Sequence, residues 1–116
     1  MAIPSGSGTE VLKEQFGTGN NTASFIMTVP TDHIYTIISI IVCNNTANQV
    51  PANKIIIDPN GSTYGEMALY EQVIESKETF VVNEKIVLSS GDKLYITNAS
   101  ANTLNVLVSY IDQDWT

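Results

Sequence analysis

The stretch that decides the fold is Thr79–Asp112, TFVVNEKIVLSSGDKLYITNASANTLNVLVSYID. It consists of short runs of β-branched, aromatic and leucine residues, separated by the polar turn sequences SSGD and NASAN. Runs of this kind with turn residues between them predict consecutive antiparallel strands. In the last two runs, the alternation assigns Leu94, Ile96, Leu104, Val106, Val108 and Tyr110 to a buried face and Tyr95, Leu107 and Ile111 to the outer face.

The chain before this stretch predicts further strands of the same domain. The segment His33–Cys43 is nearly continuous isoleucine, valine and tyrosine, which is typical of a strand at the centre of a sheet and buried on both faces. Thr9–Phe16 alternates as an edge strand does, with Val11 and Lys13 on one face and Leu12 and Glu14 on the other. The sequence also predicts a turn over Gly17–Asn21, strands over Ala23–Val29 and Lys54–Asp58, and a polar loop over Asn44–Asn53.

One stretch, Tyr64–Glu78, fits two kinds of secondary structure. Met67, Tyr70 and Ile74 lie at helical spacing, whereas Met67, Leu69 and Val73 lie at strand spacing. Because the surrounding chain is β throughout, we predict a strand near Met67–Ile74.

Together these segments predict an all-β protein. We expect a single antiparallel β-sandwich or jelly-roll-like domain of about eight strands over residues 9–116. Residues 1–8 are small and carry two glycines, and we predict that they form a flexible N-terminal arm.

Composition excludes several classes of partner. The net charge is −7, and all five basic residues are lysines. Arginine and positive charge supply most of the affinity for nucleic acid, and an acidic surface opposes adsorption to anionic membranes. We therefore expect neither a nucleic-acid nor a membrane partner. The N-terminus does not resemble a signal peptide, which predicts a soluble protein made in the cytoplasm.

The sequence offers little for catalysis or for a cofactor. Cys43 is the only cysteine, so it can form no intrachain disulfide, and its apolar neighbours predict a small buried core residue. His33 is the only histidine, and the pattern predicts a surface residue at the start of a strand. Nucleophile-elbow, paired-histidine and phosphate-loop motifs are missing from the sequence. We expect no enzyme activity, no cofactor and no metal.

Apolar residues on the predicted outer face are more informative. Tyr95, Leu107 and Ile111 point away from the predicted core, and Trp115 follows the last strand. Trp115 either packs back on its own domain or buries against another subunit. Aromatic anchors with a polar rim are typical of protein interfaces. The predicted assembly residues are Ile3 and Pro4 in the arm, with Tyr95, Leu107, Ile111 and Trp115.

Most of the chain resembles small β-sandwich virion proteins of tailed bacteriophages. The resemblance is carried by the segments 79–88, 90–94 and 109–111 and by the pattern of 33–44. The opening, AIPSGSGTEVLK at residues 2–13, resembles the start of short virion proteins of marine phages, including those that infect cyanobacteria.

The resemblance implies a structural protein with no catalytic residues. We expect a capsid decoration (cement) protein that binds the major capsid protein on the outer surface of the head, as a homotrimer, and stabilises the capsid. Two alternatives remain open: a tail, neck or fibre-attachment module of the virion, and a carbohydrate-binding β-sandwich for host recognition.

Overall fold

The computed structural model of the protein describes residues 8–60 and 66–115. All regular secondary structure in these residues is β. The strands are β1 (Thr9–Gly19), β2 (Phe25–Thr28), β3 (His33–Cys43), β4 (Val50–Asp58), β5 (Met67–Ile74), β6 (Thr79–Val82), β7 (Ile86–Ser89), β8 (Lys93–Thr97) and β9 (Leu104–Asp114). Residues 1–7 of the predicted arm, with Ile3 and Pro4, lie outside the described residues.

The strand order is that of a jelly roll. Sheet A has the order β1-β9-β3-β6, with β7 also paired to β3, and sheet B has the order β2-β8-β4-β5. Every pair is antiparallel. Because β6 and β7 pair with successive halves of β3, they act as one interrupted strand and leave eight strand positions. The chain is therefore one long hairpin rolled into two sheets, which confirms the predicted all-β sandwich.

The core lies between the inner faces of the two sheets. The predicted alternation of β8 and β9 is confirmed, since every residue assigned to the buried face is at most 6 % exposed. Full burial of one such aliphatic side chain is worth roughly 1.5–3 kcal/mol. The other strands contribute a core dominated by isoleucine and valine, including Ile37, Ile40, Val42, Val50, Ile55, Ile57, Ile74 and Val82.

Two predictions about strands are confirmed. The ambiguous stretch is the strand β5, with the predicted bounds Met67–Ile74. His33–Cys43 is a central strand, paired with β9 on one side and with β6 and β7 on the other. Only one face of β3 is in the core, however. On the outer face Thr36, Ser39 and Ile41 are only half-buried, so the prediction of burial on both faces is wrong.

Two predicted turn or loop boundaries are also wrong. β1 continues through the expected turn to Gly19, because its glycines allow close packing against β2: a Cβ on Gly17 would lie 2.5 Å from the Phe25 ring. β4 begins at Val50 inside the expected loop. The pairing of β4 with β5 shifts register between Val50 and Asn53, and Ala52 there has a φ of 51°. This bulge accommodates Pro51 within the strand.

The expectation for Cys43 is wrong as well. Its cross-strand neighbours are Asn105 and Thr79, which are both exposed, and its own side chain is half-buried. Cys43 therefore lies on the outer face of sheet A, because the register shift after Ile37 sets which side chains of β3 point inward.

Candidate assembly surface

The outer face of sheet A, called face A below, carries two rows of mostly apolar side chains. Each row follows the cross-strand register, so its members are direct neighbours about 5 Å apart across the sheet. The first row is Phe16, Leu107, Ile41 and Val81, and the second is Leu12, Ile111, Thr36 and Val87.

The edge strand exposes the largest side chains of face A. Leu12 is 71 % exposed and Phe16 is 68 % exposed. A depression of about 400 Å³ between the two rows is lined by Leu12, Lys13, Glu14 and Ser109. Among the described strand residues of this face, the charged ones are Glu10 and Glu14, both on β1. Face A is thus apolar across four strands and acidic along one margin.

The outer face of sheet B, called face B below, has a different composition. One row crosses it, formed by Ile26, Tyr95, Ile56 and Ala68. Charged pairs lie on both sides of that row: Asp58 is the register partner of Lys93, and the Lys54 Nζ lies 3.5 Å from the Glu71 Oε1. Interspersed charges of both signs are typical of a surface that remains in water.

The structure brings together only some of the predicted assembly residues. Leu107 and Ile111 occupy the middle of face A, one in each row. Tyr95 lies on face B, so it cannot share a surface with them. The Trp115 ring packs against Gly8 of the same chain, and the Trp115 backbone N–H donates to the Asp32 carbonyl.

Sequence reasoning missed most of the exposed apolar area of face A. Leu12, Phe16 and Val81 contribute to this area but were not among the predicted assembly residues. The signal for Leu12 was present, because alternation placed it opposite Val11 on an edge strand. The register that aligns Leu12 with Ile111, and Phe16 with Leu107, comes from pairing between the two ends of the chain. Local sequence does not encode that pairing.

A polar cluster at one end of the sandwich fixes β1 to β9 and β3. Asp112 is 3 % exposed and lies on the inner face of β9. The Lys13 Nζ donates to its Oδ2 at 2.7 Å, and the His33 Nδ1 donates to its Oδ1 at 2.7 Å. The His33 Nε2 lies 3.5 Å from the Asp114 Oδ1. His33 is therefore a half-buried link between strands, and the prediction of a surface histidine is wrong.

The cluster shifts the pKa values of Asp112 and Lys13. Burial by itself raises the pKa of Asp112, but hydrogen bonds from Lys13 and His33, with their charges, outweigh it and leave that pKa lowered. The hydrogen bond that Lys13 donates to Asp112 raises the pKa of Lys13. The pKa of Tyr35 is raised to about 12, mainly by burial and secondly by the nearby Tyr110. The centroids of the two tyrosine rings are 4.6 Å apart.

This cluster is suited to holding strands together. A lysine and a histidine satisfy the Asp112 carboxylate, and Cys43 lies at the opposite end of β3 from His33. Across residues 8–60 and 66–115, no group of three or more histidine, cysteine or acidic side chains is arranged to hold a metal ion. Within the same residues, no helix is long and apolar enough to cross a membrane.

The described tyrosines do not lie together on one exposed face. Tyr35 and Tyr110 are buried in the core. Tyr70 faces Phe80 at the side of the sandwich, and Tyr95 lies on face B.

No family model matches the chain, and no curated protein matches it either.

Proposed function

We propose that this protein is a non-enzymatic structural component of a phage virion. In this proposal it is a capsid decoration protein that binds the major capsid protein on the outside of the head through face A. The observation that carries the proposal is the pair of apolar rows on face A, which leaves Leu12 and Phe16 more than two-thirds exposed. Exposed apolar rows of this kind mark a docking surface more often than a solvated one, although Glu14 and Ser109 lie between the two rows of face A.

The size of face A supports the proposal. Three of its strands have 11 residues, so the face is about 36 Å long and about 19 Å wide at ordinary strand spacing. That area of roughly 700 Å² is close to the roughly 800 Å² that each partner buries in a standard protein interface. A single copy would contribute one such interface, and a high copy number would multiply its stabilising effect against the outward pressure of packaged DNA.

Charge supports an outer location. The chain carries a net charge of −7 and no arginine, which disfavours contact with packaged DNA. The acidic margin of face A favours a capsid surface with basic residues beside an apolar patch.

Copy number per virion tests the proposed location. Quantitative mass spectrometry of purified virions should give hundreds of copies for a head decoration protein. About a dozen copies would instead indicate a tail or neck module, with face A as its docking surface.

The resemblance, rather than face A, is the basis for proposing a homotrimer. Native mass spectrometry of the isolated protein should give about 38 kDa, three times the 12.6 kDa chain. A 12.6 kDa species at micromolar concentration would remove the trimer from the proposal and leave the docking role of face A in place.

A further inference from the structure

The side of the sandwich between β5 and β6 is open. Each of these edge strands has a single strand partner among the described residues, β4 for β5 and β3 for β6. Their outer edges therefore present backbone N–H and C=O groups to solvent. A cleft of about 250 Å³ lies between the two edges, and the rings of Tyr70 and Phe80 meet there with centroids 6.2 Å apart.

The polar groups of the cleft are acidic and amide side chains. Glu84 contributes a carboxylate, Gln72 and Asn83 contribute amides, and Glu71 contributes a second carboxylate whose Oε1 lies 3.5 Å from the Lys54 Nζ. The wider segment 66–84 holds five carboxylates and one lysine. An aromatic ring beside a carboxylate attracts a cation in two ways: through the quadrupole of the ring and through the negative charge of the carboxylate.

A buried amide next to the cleft lacks a partner. Asn53 is 1 % exposed, and neither its Nδ2 nor its Oδ1 has a hydrogen-bond partner among the described residues. Asn53 lies on the inner face of β4, directly across from Gln72 of β5. An unsatisfied buried amide is costly.

We propose that this cleft binds an extended peptide segment that carries an arginine or lysine. The peptide backbone pairs with the free edge of β5 over Tyr70–Ile74, the part of that strand beyond its bulge. The cationic side chain enters the cleft against Tyr70 and Phe80, beside the Glu84 carboxylate. The occupant is basic because the lining is acidic, and a cavity of about 250 Å³ has room for one long side chain. The site is distinct from face A and does not depend on the proposed function.

Titration of the ¹⁵N-labelled protein with a designed peptide tests this site. The probe is acetyl-Thr-Val-Thr-Arg-Thr-Val-Thr-amide, and its control has citrulline, the neutral isostere, in place of arginine. We expect the arginine peptide to shift the amide resonances of Tyr70–Ile74 and Phe80–Glu84, and to bind about tenfold tighter than the citrulline peptide. Equal binding of the two peptides, shifts elsewhere, or no shifts at millimolar peptide would overturn the proposal.

Two variants and a matched control assign the contacts. Glu84→Gln and Phe80→Leu should each weaken arginine-peptide binding by about tenfold. Glu14→Gln removes the same charge from face A and should change it by less than about twofold. Because Phe80 also packs against the core, Glu84→Gln is the more direct test of the site. An unchanged affinity for the arginine peptide in that variant would contradict the proposed site.

Discussion

Face A and face B are the two outer surfaces of one sandwich, and they differ in what surrounds their apolar side chains. On face B, one apolar row lies between two charged pairs: Lys93 with Asp58, and Lys54 with Glu71. On face A, two rows flank Glu14 and Ser109, and the lysine beside them, Lys13, donates to Asp112, which lies on the inner face of β9. Both faces come from the same alternation of inward and outward residues. Under our proposal, charge placement, more than the number of outward apolar residues, distinguishes the docking face from the solvated one.

The largest expected effect comes from placing a charge on face A. If face A binds the capsid as proposed, Phe16→Lys should weaken binding to heads that lack the protein by about 100-fold, because a lysine would be desolvated in place of the aromatic ring. Co-sedimentation with such heads measures the loss. The melting temperature should stay nearly constant, since Phe16 is 68 % exposed in the isolated chain.

Ile26→Lys is the matched control, because it makes the same kind of change at a half-exposed position of face B. It should leave binding to heads within about twofold. If Ile26→Lys abolished binding and Phe16→Lys did not, the roles of the two faces would be reversed.

The second effect concerns the attachment of β1, which carries the most exposed part of face A. Asp112→Asn removes the carboxylate that Lys13 and His33 share, and should lower the free energy of unfolding by about 2 kcal/mol. Urea denaturation measures this loss. Asp58→Asn, on face B, should change the free energy of unfolding by less than about 0.5 kcal/mol. Equal effects of the two substitutions would show that the cluster does not hold the strands together.

The third effect is the response of the same cluster to acid. The folded-state pKa of Asp112 is lowered, so its stabilisation is fully present above the unfolded-state pKa of about 4. That stabilisation is lost as the pH falls through the lowered folded-state pKa. The difference in melting temperature between wild type and Asp112→Asn should therefore shrink below about pH 4. A difference that stays constant down to pH 2 would mean that Asp112 does not titrate with the expected shift.

The smallest effect is expected on face B. Tyr95→Thr should change both the free energy of unfolding and the affinity for heads only slightly, by less than about 1 kcal/mol each, because the ring is half-exposed between charged rows. Thermal melting and co-sedimentation check the two values. A large loss of binding to heads in this variant would show that Tyr95 belongs to the assembly surface.

Sequence was sufficient for the parts of the fold that depend on local pattern. Alternation predicted which side chains of β8 and β9 point inward, and the β context decided that Met67–Ile74 is a strand. It was insufficient wherever distant segments determine the outcome. Gly17 was predicted to lie in a turn because the neighbour that requires a small residue there, Phe25, lies on another strand of the opposite sheet.

The candidate site shows the same division. Leu107 and Ile111 were found from their own strand, but the rows that they complete depend on pairing with β1 and β3. The link from His33 to Asp112 joins residues 79 positions apart, so the neighbours of His33 in the sequence could not reveal it.

The most direct test of the assembly surface uses the protein's own thiol. Cys43 lies on face A, one row beyond Leu107 and Ile41, and it is the only cysteine. The rate of its labelling by a maleimide should fall about tenfold when the protein is bound to heads. A thiol placed on face B, in the variant Cys43→Ser with Tyr95→Cys, should react at the same rate in the free and bound protein. An unchanged Cys43 rate together with protection of the face B thiol would contradict the assignment of face A as the docking surface.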